Sequence, residues 1–178
     1  TPLGMVKEAL KAGEAVPFAM TAEHSWNFFV GNMNGSVGET STLALLLGAA
    51  YLLWRRVIGW HIPVAYLATV ALVAGVVRLM LPDASMPVHF HLLTGGLMLG
   101  AWFMATDMVT TPVTNSGKLI FGIGCGILTM VIRTVRSGAF PEGVSFAILI
   151  MNAFTPLINR ATRPKVFGTM ALRKAVLR

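Results

Sequence analysis

The sequence predicts an all-α, polytopic membrane protein with about five transmembrane helices. Hydrophobic residues make up 55% of the 178 residues and charged residues only 12%, whereas soluble domains average about 45–50% and 25%. Uncharged apolar runs also recur along the chain, and each is typical of a membrane-crossing helix. A soluble protein of buried helices is the weaker alternative, because the few polar residues cannot cover a globule.

The five apolar runs are each shorter than the roughly 20 residues that a bilayer core requires. Flanking polar residues or neighbouring helices must therefore complete each span. Glycines are concentrated in the third and fourth runs, where small residues allow helix backbones to approach closely. The runs are 42–54, 62–77, 92–105, 119–132 and 144–158.

These runs divide the chain into three parts: an external loop at 1–34, a five-span bundle at 35–160 and a basic tail at 161–178. The external loop contains a short helix pattern. Thr1 is a favourable N-cap residue, and Pro2 is favourable at the first helical position. Gly13 is a residue at which a helix commonly ends. The hydroxyl of Thr1 is therefore expected at a helix N-terminus.

The basic residues predict the orientation. The net charge of +7 does not indicate nucleic acid, because the basic residues lie between the apolar runs and in the tail. An odd number of spans puts the two ends of the chain on opposite sides of the membrane. By the positive-inside rule the tail is cytoplasmic and Thr1 is external. The counts are nine (Arg55, Arg56, Lys118, Arg160, Arg163, Lys165, Arg173, Lys174, Arg178) against five (Lys7, Lys11, Arg78, Arg133, Arg136).

Two carboxylates lie at the ends of predicted spans. Ser36 and Glu39 have the spacing of a capping box before the first span, so Glu39 is either a cap residue or a functional carboxylate. Asp107 follows the third run, where the negative end of the helix dipole disfavours an acid. Threonines surround it, including Thr110. Either this loop hydrogen-bonds itself, or Asp107 belongs to a ligand or ion site.

The histidines and the cysteine predict no metal site. Membrane haem needs imidazoles that face each other at similar depth from different helices, and His24, His61, His89 and His91 do not fit that arrangement. Cys125 lies between two glycines and is interpreted as a small packing residue. No catalytic side chain is predicted.

Several motifs occur in order along the chain. They are Gly35-Ser36-Val37-Gly38-Glu39-Thr40-Ser41, Phe103-Met104-Ala105-Thr106-Asp107, Arg133, Pro141-Glu142-Gly143 and Arg163-Pro164. Together they resemble one family, the D subunit of the Rnf electron-transport complex, which is related to the B subunit of the sodium-pumping NADH:quinone oxidoreductase. The resemblance covers nearly the whole chain, and Arg163-Pro164 with Val166-Phe167-Gly168 is more similar to the Rnf branch.

The resemblance implies that this chain is the C-terminal, five-span half of a subunit with about ten spans. It also implies a covalent FMN, attached through its phosphate to a threonine in an external loop. Thr1 with Pro2 and Leu3 is similar to the end of that attachment motif, so Thr1 is the expected acceptor. A helix N-terminus would favour the phosphate. Ser36 and Thr110 are further candidates for contacts with the flavin.

The implied function is electron transfer through the FMN in an ion-translocating ferredoxin:NAD+ oxidoreductase of the cell inner membrane. The expected partners are other membrane and flavoprotein subunits, the lipid bilayer, and exported Na⁺ or H⁺. Glu39 and Asp107 are the candidates for the ion path, because carboxylates at membrane depth are costly and usually functional. The sequence leaves open which ion is moved and whether a second, non-covalent flavin binds.

Two residues depart from the family pattern: Met108 stands where a proline is usual, and Asn159 stands where an aspartate is frequent. Two other functions remain as alternatives. One is a redox-silent channel or transporter component with a glycine-rich pore, and the other is a structural membrane anchor.

The predicted orientation is testable with a fusion. A reporter that is active only in the cytoplasm, joined after Arg178 of the complete protein, is expected to be active, because nine basic residues lie on the tail side and five on the other. Cell fractionation with an activity assay measures this. Activity only from an exported reporter would reverse the assignment.

Overall fold

The computed structural model describes residues 2–12, 21–32, 34–35, 38, 40–80, 86–134 and 143–164, and every regular element in this part of the chain is helical. Three helices, α4, α7 and α8, are long and apolar enough to cross a membrane, and α3 is a shorter apolar helix. The predicted all-α membrane class is confirmed. The helices are α1 Pro2–Ala12, α2 Ala22–Val30, α3 Thr42–Trp54, α4 His61–Met80, α5 Val88–Leu93, α6 Leu97–Leu99 with a π-helical continuation Gly100–Met104, α7 Asn115–Thr134 and α8 Val144–Ala161.

Four of the five apolar runs form continuous helices, α3, α4, α7 and α8. Polar residues extend α4 and α7 to 20 residues each, as the short runs required. The start of α3 differs from the prediction. Its N-cap is Ser41, whose Oγ accepts from the amide of Ala44 at 3.3 Å. The predicted cap, Ser36, lies outside the described residues.

The third run is not one continuous helix, and this prediction was wrong. Helix α5 ends at Leu93, and the chain crosses Thr94, Gly95 and Gly96 before α6 begins. Gly95 and Gly96 have φ values of 70° and 62°. Two left-handed residues in succession cannot continue a right-handed helix, and only glycine adopts this conformation at little cost. The third span is therefore two half-helices joined by a break at residues 94–96.

Glycines of α7 bring its backbone against α4, which confirms the predicted close approach. A Cβ atom on Gly122 would lie 2.8 Å from the carbonyl oxygen of Ile62, and one on Gly126 would lie 2.6 Å from Cβ of Thr69. The two helices are thus parallel neighbours. One polar pair joins them inside the bundle, because the hydroxyls of Tyr66 and Thr129 lie 2.6 Å apart and are buried.

Helices α1 and α2 cover the end of the bundle where α5 begins. Helix α1 was predicted; α2 was not. Both contribute to a small apolar cluster, in which the rings of Phe28 and Phe90 lie 6.4 Å apart between centroids. The cluster positions α1 over the broken span. Its buried members are Leu3, Val6, Phe28, Met86 and Phe90.

The contact between α4 and α7 predicts different effects for two neighbouring glycines. Gly126→Ala is expected to destabilise the protein by about 1–3 kcal/mol, because its Cβ would press on Thr69 and the backbone of α4. Gly124→Ala is the control, since its Cβ meets only the flexible end of Met151. Thermal unfolding of the complete protein in detergent measures both. Equal melting temperatures would contradict the packing described here.

Candidate functional site

A buried arginine holds the break in the third span. Arg133, in the last turn of α7, is 8% exposed. Its Nη1 donates to the carbonyl oxygen of His91 at 2.7 Å. Its Nη2 donates to the carbonyl oxygens of Thr94 at 3.0 Å and Gly95 at 3.1 Å. One guanidinium thus satisfies three backbone acceptors at the point where the helix is interrupted.

The break explains why a charge is buried here. Because α5 ends, carbonyl groups such as that of His91 lose the helical partners they would have in a continuous span. In a membrane interior each unsatisfied backbone group costs several kcal/mol. Hydrogen bonds from a charged donor contribute about 1.5–3 kcal/mol each, so the three bonds offset much of the cost of burying the guanidinium.

The sequence analysis counted Arg133 among the five basic residues of the external side. The structure shows that this residue is buried in the last turn of α7, so it is not a solvated loop charge. The loop charges on that side then number four instead of five, which leaves the predicted orientation unchanged. Two signals pointed to the site: the adjacent glycines Gly95 and Gly96 inside an apolar run, and a charged residue one helical turn after Thr129.

Helix α1 covers the break. The position that a Cβ atom would take on Gly95 lies 2.7 Å from Cδ2 of Leu3 and 2.8 Å from Nη2 of Arg133. A side chain at Gly95 would therefore press on the guanidinium and on the end of the Leu3 side chain. The first turn of α1 contains no acidic residue, so no side chain of that turn opposes an anion at its N-terminus.

Three of the predicted site residues, Thr1, Ser36 and Glu39, lie outside the described residues. The described part of α1 begins at Pro2, directly after Thr1. The described part of α1, from Pro2 onward, lies at the end of the bundle that carries the break.

Asp107 lies at the opposite end of the bundle, in an exposed loop. Its Oδ2 accepts from the amide of Thr110 at 3.2 Å and from the hydroxyl of the same residue at 3.0 Å. Its carbonyl oxygen accepts from the hydroxyl of Thr111 at 2.7 Å. These contacts match the alternative of a loop that hydrogen-bonds itself. Thr110, a candidate flavin contact, is thus engaged with Asp107 in this loop.

Asn159 fastens this loop to α8. Its Oδ1 accepts from the amide of Val113 at 3.0 Å, and Thr114 donates to the hydroxyl of Thr162 at 2.7 Å in the same region. The amide oxygen of Asn159 thus accepts a hydrogen bond that the carboxylate of an aspartate at this position would also accept. A cavity of about 250 Å³ lies beside the loop, lined in part by Ile58, Thr106 and Lys118.

These features define a polytopic, helical membrane protein in which a buried arginine holds a broken span. The chain belongs to the NQR2, RnfD, RnfE family, whose model matches residues 1–168.

Relatives in this family share much of the sequence. The chain is 44% identical over 173 residues to the D subunit of the proton-translocating ferredoxin:NAD(+) oxidoreductase complex of Clostridium ljungdahlii, covering 95% of this chain and 50% of the relative. It is 43% identical over 176 residues to the D subunit of the Na(+)-translocating ferredoxin:NAD(+) oxidoreductase complex of Acetobacterium woodii, covering 98% and 50%.

A third relative, the D subunit of the ion-translocating oxidoreductase complex of Stutzerimonas stutzeri, is 49% identical over 149 residues, which cover 84% of this chain and 42% of the relative. The chain therefore spans about half the length of the curated relatives it matches. The resemblance to the D subunit of the Rnf complex is confirmed.

Proposed function

We propose that this chain is the C-terminal part of the D subunit of an ion-translocating ferredoxin:NAD+ oxidoreductase. In this proposal it carries electrons through an FMN bound covalently at Thr1, and the electron transfer drives export of Na⁺ or H⁺ across the cell inner membrane. The observation that carries the proposal is identity of 43% and 44% over nearly the whole chain to two D subunits of such complexes. One relative belongs to a complex named as proton-translocating and the other to a complex named as Na(+)-translocating, so the proposal includes both ions.

The surroundings of α1 fit an anionic group at Thr1. The helix presents its N-terminus without an acidic side chain in its first turn, and a helix N-terminus favours a phosphate. Leu3 and Val6 are buried and anchor this helix, whereas Met5 is 51% exposed. One face of the segment is therefore fixed and the other is open. When bound, FMN supplies one-electron and two-electron chemistry, and the protein fixes where the flavin stands.

The electron-transfer role also implies partners. The proposal assigns the chain to a complex with other membrane and flavoprotein subunits, with the Thr1 segment on the external side and the C-terminus in the cytoplasm. Nine basic residues on the tail side support this orientation. The proposal does not assign a second, non-covalent flavin to this chain.

The channel alternative loses its main support. It required glycine faces that line a pore, but the glycines of the fourth span face neighbouring helices. Gly122 and Gly126 approach α4, and Gly124 meets Met151 of α8. Such contacts close the space between helices, so these positions cannot line a channel within the described part of the chain.

Replacing Thr1 tests the flavin attachment. Thr1→Val removes the hydroxyl and nearly preserves the shape, so covalent flavin fluorescence in a denaturing gel is expected to disappear while the protein still inserts into the membrane. Mass spectrometry of the native peptide that contains Thr1 is expected to show the mass of FMN less one water.

Thr21→Val is the matched control, because Thr21 is the N-cap residue of α2 in the same N-terminal segment. It is expected to keep the covalent flavin. An unmodified Thr1 peptide from fully active complex would refute the attachment.

A second variant tests Asp107 as part of the ion path. Asp107→Asn removes the charge but keeps one oxygen that accepts from Thr110, so the loop is expected to persist. Insertion and flavin content should be unchanged, and ion-coupled electron transfer in vesicles should be slower. Glu23→Gln, an exposed carboxyl in α2, serves as the control. Unchanged coupled activity would assign Asp107 to the loop alone.

A further inference from the structure

The break in the third span has the composition of a cation site. Three backbone carbonyl oxygens, from His91, Thr94 and Gly95, converge on one positive group at 2.7–3.1 Å. Uncharged carbonyl oxygens are ligands that hard cations prefer. Unwound backbone between half-helices is also where membrane transporters bind monovalent ions. The positive group here is a side chain of the protein itself.

We propose that these three carbonyls form a site for a small monovalent cation, and that the guanidinium of Arg133 fills it as a tethered cation. An inorganic cation and Arg133 then compete for the same oxygens. The site accepts an ion only when the Arg133 side chain withdraws, so Arg133 excludes ions from the break in the third span.

The local backbone suits such an exchange. The carbonyl of Gly95 belongs to a residue without a side chain, and the next residue is also glycine, so both adjust at little steric cost. Thr94 donates its hydroxyl to the carbonyl of Phe90 at 2.6 Å, so this hydroxyl does not compete with the guanidinium for the three carbonyl oxygens. The Nδ1 atom of His91 is buried without a hydrogen-bond partner among the described residues. The contacts now present therefore do not saturate the polar atoms of the break.

The position of α1 connects this site to the rest of the molecule. Leu3 reaches Gly95 from one side as Arg133 reaches it from another, so α1 closes over the occupied site. The inference rests on the proposed function only in taking a transported ion as the eventual competitor. Occupancy of the site is measured without turnover or flavin, so its failure and the failure of the proposed function are distinguishable.

The test is rescue of Arg133→Ala in the complete, assembled protein. Hydrogen exchange of the peptide segment 88–97 is followed by mass spectrometry. The variant is expected to exchange about tenfold faster or more in choline chloride, because the carbonyls lose their donor and the break opens. Guanidinium at millimolar concentration, far below its denaturing range, should restore slow exchange in a saturable manner. Na⁺ should restore it in part, and choline, which is too large, should not.

Wild-type protein and Arg78→Ala are the controls, since Arg78 lies in the last turn of α4 and is exposed. Neither should respond to guanidinium. Absence of saturable protection in Arg133→Ala would overturn the proposal. If guanidinium protects the segment and Na⁺ does not, the proposal is also overturned, because three carbonyls that bind only the planar guanidinium group do not form a site for a small inorganic ion.

Arg133→Gln is measured in the same way if the alanine variant does not accumulate. Its amide is able to donate to one carbonyl, and the other oxygens stay open to the added cation. If neither variant accumulates in cells or membranes supplied with guanidinium, the proposal is overturned as well, because a vacant cation site would have been refilled.

Discussion

A backbone that crosses a bilayer has to satisfy its own polar groups, and the break at residues 94–96 makes this requirement acute. The half-helix α5 ends inside the bundle, so backbone carbonyl oxygens at the break need donors from outside this helix. Arg133 supplies the donors from α7. The last turn of α7 is thereby held against the third span, while Tyr66 and Thr129 join α7 to α4 one turn away. Three of the membrane segments are fixed around these contacts.

The two ends of the bundle differ in chemistry. One end has the break, the buried arginine and α1, whose first turn follows Thr1. The other has the threonine-rich loop around Asp107, which Asn159 fastens to α8, and a cavity beside Lys118. Any coupling between these two ends within this chain has to pass along the helices that connect them, chiefly α7.

Much of the architecture was predictable from composition and apolar runs. The cores of α3, α4, α7 and α8 coincide with predicted runs, because a long uncharged segment next to lipid has few alternatives to a helix. The glycines of α7 also behave as expected, since small residues permit close approach. The same reasoning failed at Gly95 and Gly96, because a hydropathy pattern does not distinguish a glycine that packs from one that breaks a helix.

The sequence by itself determined the membrane class, the number of apolar segments, the helix that follows Thr1 and the family resemblance. These depend on composition, local pattern and short motifs, all of which a linear chain displays. The tertiary structure alone decided that the third segment is broken, that Arg133 lies inside and that Asp107 engages its own loop. The first two depend on which distant groups meet: the arginine finds its carbonyl partners about 40 residues away along the chain, and no local pattern specifies that pairing.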